Sequence, residues 1–121
     1  MNKVTLLGNL TRDVEIRYVG EDKKPLAKFA IAVNEYRADK NGDAREAMFI
    51  DVTVFGRAAE TAHQYLAKGR KVLIGGKLTL ERWTNQEDGK PRSKHVVIAD
   101  EVHFLDSPKA AGEDGREDEG E

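Results

Sequence analysis

Cysteine is absent from this chain of 121 residues, and tryptophan occurs once. The absence of cysteine excludes disulfides, thiolate nucleophiles and zinc sites built on cysteine. No apolar run approaches the about 18–20 residues of a membrane-spanning helix, and the start of the chain lacks the long apolar region of a signal peptide. A chain of this length is expected to form one domain, and we expect it to be cytoplasmic.

Residues for catalysis or metal binding are also lacking. His63 falls in a predicted helix, and His95 and His103 fall in the last predicted strand, without partners at metal-ligand spacing. The segments GEDKKP and LIGGK contain glycine and lysine but do not resemble a phosphate-binding loop followed by a helix. No Ser-His-Asp set or paired carboxylates stand out. The sequence therefore predicts no enzymatic activity, no metal site and no cofactor.

Charge is divided unevenly along the chain. Residues 1–109 hold 19 Lys and Arg against 16 Asp and Glu, whereas residues 110–121, AAGEDGREDEGE, hold one Arg against six acids. An acidic segment without aromatic residues is typical of disorder. We predict a folded domain at 1–107 and an acidic disordered tail at 108–121. The simplest role of such a tail is to improve solubility.

Five segments have the character of strands and one has that of a helix. The strands are predicted at 3–18, 26–36, 47–55, 70–83 and 93–105. Gly8-Asn9 suggests a bend or bulge within the first of them. The helix is predicted at 57–69, ending at Gly69. Its predicted apolar face consists of Ala58, Ala62, Tyr65 and Leu66. This order predicts an all-β fold with one helix, a five-stranded oligonucleotide/oligosaccharide-binding (OB) barrel with the helix between strands 3 and 4.

Large aromatic residues fall on the faces of the strands that the pattern marks as exposed. Successive side chains of a strand point to opposite sides, so each strand has an apolar and a polar face. Tyr36, Phe49, Phe55 and Trp83 fall on polar faces. A bulge at Gly75-Gly76 is an alternative that reverses the side on which Trp83 lies. Exposed aromatics grouped on one sheet face usually mark a binding surface.

Basic residues accompany these aromatics along the chain. They are Lys3, Arg17, Arg37, Lys40, Arg57, Lys68, Arg82, Lys90 and Arg92. Aromatic rings stack on bases of any sequence, while Lys and Arg contact phosphates, as single-stranded nucleic acid requires. The alternative is that each aromatic covers the rim of the barrel. The agreement of four positions favours a stacking surface.

Several motifs carry a resemblance to a known family. NKVTLLGNL at the start, VFG before the helix, and YLAKG followed by VLIGGKLTLERWT are its most specific pieces. From about Met1 to Leu105 the chain strongly resembles the bacterial single-stranded DNA-binding protein family. The resemblance implies sequence-independent binding and protection of single-stranded DNA in replication, recombination and repair. It further implies a cytoplasmic, nucleoid-associated homotetramer.

The resemblance also assigns roles to residues. It implies stacking by Tyr36, Phe49, Phe55 and Trp83. It implies phosphate contacts by Lys3, Arg57, Lys68 and Arg82, to which the charge pattern adds Arg17 and Arg37. Recruitment of replication and repair proteins is implied through the acidic tail. Many members end that tail in Ile-Pro-Phe, whereas this sequence ends in EDEGE.

Two other functions stay open from the sequence. One is that of a primosomal accessory protein resembling primosomal replication protein N, and the other is an RNA-binding barrel. Leu7 and Leu73 are apolar residues on faces that otherwise look polar, and they predict a contact between subunits.

Overall fold

A computed structural model describes residues 1–39 and 42–105, with the side chains of 1–35 and 46–105. The predicted tail at 108–121 lies outside these residues. The described part contains one helix and six strands. They are β1 (Val4–Leu10), β2 (Glu15–Val19), β3 (Lys24–Asp39), β4 (Gly42–Phe55), α1 (Arg57–Tyr65), β5 (Lys71–Thr84) and β6 (Pro91–Phe104).

The strands form a ring of backbone pairings. Their order is β1-β5-β6-β4-β3-β2, and β1 also pairs with β3. The closing pairs are Asn9 with Ala32 and Leu10 with Ile31. All pairings are antiparallel except that of β4 with β6, which is parallel. The all-β fold with one helix between the third and fourth predicted strands is therefore confirmed, with five strands in the ring and β2 beside β3.

The first predicted strand is two strands in the structure. β1 continues through Gly8 and pairs there with β5 without a change of register, so Gly8-Asn9 forms no bulge, and the break comes at residues 11–14. Gly8 serves a different purpose. A Cβ added there would lie 2.6 Å from the carbonyl oxygen of Ala32, because β1 approaches β3 closely where the ring closes. A glycine at this position permits that approach.

The helix is shorter than predicted. It ends at Tyr65, and the amide of Leu66 donates a hydrogen bond to the carbonyl of Ala62 at 2.8 Å. Gly69, predicted to follow the helix end directly, has a φ of +93° in the turn that leads to β5. Its amide donates to the carbonyl of Leu10 at 2.8 Å, which ties this turn to the end of β1.

The buried face of α1 also differs from the prediction. Ala59, Ala62 and Leu66 are buried, whereas Ala58 and Tyr65 are exposed. Ala62 and Leu66 are confirmed as core residues. The exposed Tyr65 ring instead lies beside the Phe104 ring, with a centroid distance of 6.0 Å. The helix thus buries small side chains, which lets it pack closely on the barrel.

The core consists of alternate residues from the strands of the ring. Its largest fully buried side chains are Phe29, Ile31, Val52, Val54, Val72, Ile74 and Val97. Val96 is also fully buried, but it lies on the opposite side of β6 from Val97. The inward positions that the alternation predicts at Phe29, Ile31, Val52, Val54, Val72 and Ile74 are confirmed, whereas Leu80, which the same pattern places inward, is exposed. Thr53 is buried although the alternation of β4 places it on the polar side with Asp51.

The predicted bulge at Gly75-Gly76 is present, but the extra residue lies in the partner strand. Gly75 pairs with Glu101 and Gly76 pairs with Ala99, so Asp100 of β6 has no opposite residue. The alternation of β5 therefore continues unbroken toward its end. Trp83 keeps the outward side that the simple pattern predicts.

Candidate nucleic-acid interface

The outward side of three neighbouring strands forms one surface. Val96 of β6 pairs with Asp51 of β4 on one side and with Thr79 of β5 on the other. Paired residues in a sheet project to the same side. Farther along the same strands this side carries Phe49, Lys94 and Trp83. We call it the outer face, defined by Phe49, Asp51, Lys94 and Trp83.

Two exposed phenylalanines lie on this side of β4, Phe49 in the middle of the strand and Phe55 at its end. Phe49 is 68% exposed, and Phe55 is also exposed. They are separated by about 20 Å at about 3.3 Å per residue along a strand. Arg17 lies near Phe55, because both pair with Leu26 of β3. Arg57 begins α1 just after Phe55, so two predicted basic residues accompany this end of the strand.

Trp83 lies at the end of the outer face opposite to the helix. Its side chain is 45% exposed, in agreement with the predicted exposure. The ammonium of Lys94 lies over the indole, 5.8 Å from the ring centroid. Arg92 is the cross-strand neighbour of Trp83. Lys94 was not among the basic residues predicted from the sequence.

An acidic residue lies between two cations on this surface. The carboxylate of Asp51 accepts from Lys94, with 2.5 Å between Nζ and Oδ2. Its other oxygen, Oδ1, is 3.8 Å from Nη1 of Arg12. Arg12 reaches this position because the amide of Thr11 donates to the carbonyl of Ala30, the residue paired with Asp51. Arg12 was also missed by the sequence reasoning.

The charged segment after Trp83 forms a hydrogen-bonded turn between the paired strands β5 and β6. The amide of Asn85 donates to the carbonyl of Lys90 at 2.8 Å, and the amide of Gly89 donates to the carbonyl of Asn85 at 2.7 Å. The guanidinium of Arg92 lies 2.7 Å from the carboxylate of Asp88. Pairing extends through Thr84, so Trp83 is held on a strand and does not lie in a loop.

The remaining predicted residues are spread around the barrel. Lys3 precedes β1, Arg82 points to the side of β5 opposite to Trp83, and Lys68 follows α1; all three are exposed. The predicted residues therefore do not form one compact cluster. The side chains of Tyr36 and Arg37 lie outside the described residues.

The described residues also show whether metal sites, membrane-spanning helices or surface concavities are present in this part of the chain. Among residues 1–39 and 42–105, no group of three or more His, Cys, Asp and Glu side chains could hold a metal ion. In the same part of the chain, no helix is long and apolar enough to span a bilayer. An open concavity of about 300 Å³ lies beside Trp83 at the end of β5, lined by Glu81, Arg82, Trp83 and Lys94.

Comparison with known proteins decides the family. The model of the single-strand binding protein family matches residues 1–105. This chain belongs to that family. A single-stranded DNA-binding protein of Wolinella succinogenes is 50% identical over 119 residues, covering 98% of this chain and 72% of that protein. One from Helicobacter hepaticus is 45% identical over 113 residues, covering 93% of this chain and 65% of that protein.

Solved structures agree with the fold of the single-strand binding protein family. A Plasmodium falciparum SSB in complex with ssDNA superposes with a TM-score of 0.79 at 24% identity, covering 88% of this chain and 96% of that one. A small single-stranded DNA-binding protein from Streptomyces coelicolor gives a TM-score of 0.70 at 20% identity, covering 85% and 93%. At these identities the likeness supports the OB barrel alone.

Proposed function

We propose that this chain binds single-stranded DNA without sequence preference and protects it during replication, recombination and repair, without catalysing a reaction. The strongest structural support for DNA binding is that exposed Phe49 and Trp83 lie on the same side of the sheet as the cation Lys94, on the outer face. Membership of the single-strand binding protein family and the names of the relatives support the same function.

In the proposed mechanism, aromatic rings bind the bases and basic side chains bind the phosphates. Bases stack on Phe49, Phe55 and Trp83, each stacked base contributing about 1–3 kcal/mol. Arg17 and Arg57 contact phosphates near Phe55, while Lys94 does so near Trp83. Because every base has an aromatic face, stacking favours all sequences similarly. A duplex binds poorly, since its bases are already stacked on one another.

The remaining predicted residues have a supporting part in this proposal. Tyr36 adds a stacking ring, and the basic residues Lys3, Arg37, Lys68 and Arg82 guide the strand around the barrel. Lys3, Lys68 and Arg82 are exposed, which allows them to contact phosphates. Since they lie on different sides of the barrel, the strand is expected to wrap around it.

Assembly into a homotetramer is part of the same proposal. Leu7 of β1 and Leu73 of β5 are directly paired, and the Leu7 side chain is exposed. This apolar pair suits a contact between identical subunits with closed symmetry. We further propose a cytoplasmic, nucleoid-associated protein whose acidic tail contacts replication and repair proteins.

Competition binding tests the proposed function. A labelled oligo(dT) bound to the full chain is displaced by unlabelled single-stranded DNA, duplex DNA or RNA of equal length. Single-stranded DNA is expected to compete best, and the logarithm of the affinity should fall with the logarithm of salt by about 0.7 per phosphate contacted. Equal competition by the duplex contradicts stacking, and stronger competition by RNA favours an RNA-binding module.

A further inference from the structure

Asp51 is an acidic residue within a surface that is proposed to bind a polyanion. Its side chain is 31% exposed, against 46% for Lys94 and 47% for Arg12. The carboxylate therefore lies lower on the surface than the cations that flank it. A fixed negative charge here repels phosphate, so its presence calls for a physical account.

The two cations contact different oxygens of one carboxylate. Nζ of Lys94 lies beside Oδ2 of Asp51, whereas Nη1 of Arg12 faces Oδ1. A DNA phosphate also presents negatively charged oxygens that pair with Lys and Arg. Asp51 thus occupies, between Arg12 and Lys94, a position whose chemistry suits a phosphate.

The same lysine joins this ion pair to the aromatic ring. Lys94 contacts Asp51 and lies 5.8 Å from the centroid of Trp83. A phosphate that binds Lys94 is therefore within reach of a base stacked on Trp83. Lys94 has an ammonium with three donors, so a phosphate must share it with Asp51 or displace the carboxylate.

We propose that Asp51 is an internal competitor for the phosphate of the nucleotide that stacks on Trp83. The proposal rests on the proposed function. The carboxylate partly neutralises Lys94 and Arg12 in the free protein, and DNA must exchange this ion pair for a phosphate contact. Asp51 consequently lowers the affinity for single-stranded DNA and makes its dependence on salt less steep.

Removing the charge of Asp51 tests the proposal. Asp51→Asn keeps the size of the side chain, and Glu21→Gln makes the same charge change at an exposed residue in the turn between β2 and β3. Affinity for oligo(dT) is measured across a salt series. Asp51→Asn should bind about two- to fivefold more tightly at low salt, the size that a partly exposed ion pair supports. Its log–log salt slope should steepen by about 0.7 and the gain should vanish at high salt, with no such change for Glu21→Gln.

A second pair of variants assigns the effect to Lys94. In a Lys94→Gln background, Asp51→Asn should gain less than it does in the native chain. An equal gain in both backgrounds, or unchanged or weaker binding by Asp51→Asn, overturns the proposal, and weaker binding shows instead that Asp51 holds Lys94 in place. If Asp51→Asn does not fold by circular dichroism, Asp51→Ser takes its place. Failure of the native chain to bind oligo(dT) contradicts the proposed function, whereas binding without the Asp51 effect contradicts only this proposal.

Discussion

The ammonium of Lys94 lies 5.8 Å from the centroid of the Trp83 ring. A cation at this distance from an indole contributes about 0.5–1 kcal/mol at an exposed site. The contact places a positive charge beside the only tryptophan of the chain. Trp83 and Lys94 thus place an aromatic ring beside a cation. A nucleotide can stack its base on such a ring and pair its phosphate with such a cation.

Phe49 is expected to contribute to DNA binding as strongly as Trp83. Phe49→Ala removes a highly exposed ring of the outer face and should cost about 1–3 kcal/mol of binding free energy for oligo(dT). Fluorescence anisotropy with a labelled oligonucleotide measures the loss. Tyr18→Ala is the matched control, because Tyr18 is an exposed aromatic outside the outer face. Similar losses for both variants would show that the outer face is not the binding surface.

The two adjacent glycines of β5 are expected to differ in their tolerance of alanine. A Cβ at Gly76 would overlap the backbone carbonyl oxygen of Ile98, whereas the nearest atoms to a Cβ at Gly75 belong to the Glu101 side chain, the closest being Oε1 at 2.8 Å. Gly76→Ala should lower the free energy of unfolding by about 1–3 kcal/mol. Gly75→Ala should change it by about 0.5 kcal/mol or less, since the Glu101 side chain can move. Urea unfolding compares them, and equal losses contradict the steric account.

The alternation of apolar residues predicted much of the surface correctly. The pattern within each single strand was enough to predict that Phe49, Phe55 and Trp83 point outward. This works because side-chain direction along a strand depends on local backbone geometry. Arg12 and Lys94 were missed because their roles depend on contacts between distant segments. Lys94 meets Asp51 only through the parallel pairing of β4 with β6, a register that no local pattern specifies.

The errors at the helix and the first strand both come from contacts between distant segments. Gly69 is a suitable residue to end a helix, but the chain leaves the helix at Leu66 so that its turn reaches the end of β1. Gly8 predicts a bend or bulge from the sequence, whereas β1 has no bulge there and Gly8 permits its close approach to Ala32. In both cases the sequence correctly marked a glycine with a special structural role. The contact with a distant segment determined which role that is.

Leu7 is predicted to lie in a contact between subunits. Leu7→Glu introduces a charge beside Leu73 on the outward side of β1, and it should dissociate the proposed tetramer into smaller species. Sedimentation equilibrium at micromolar protein concentration measures the mass. Val19→Glu is the control, since it adds the same charge at an exposed apolar residue of β2. A native chain that is already a monomer contradicts the proposed assembly.

The acidic tail is predicted to compete weakly with DNA for the basic groups of the barrel. A variant ending at Pro108 removes all the acidic residues of the segment 110–121 and should bind oligo(dT) more tightly at low salt. The gain should shrink as salt rises, because screening weakens the attraction between the tail and the barrel. Equal affinities of the full and shortened chains across a salt series would leave the tail with a role in solubility.

The fluorescence of Trp83 tests the central claim most directly. Because Trp83 is the only tryptophan, its emission during a titration with oligo(dT) reports on this one ring. We predict the emission of an exposed indole in the free protein, strong quenching at saturation, and a loss of about 1–3 kcal/mol in binding free energy for Trp83→Ala. Emission that does not change while anisotropy shows the oligonucleotide binding would contradict stacking on the outer face.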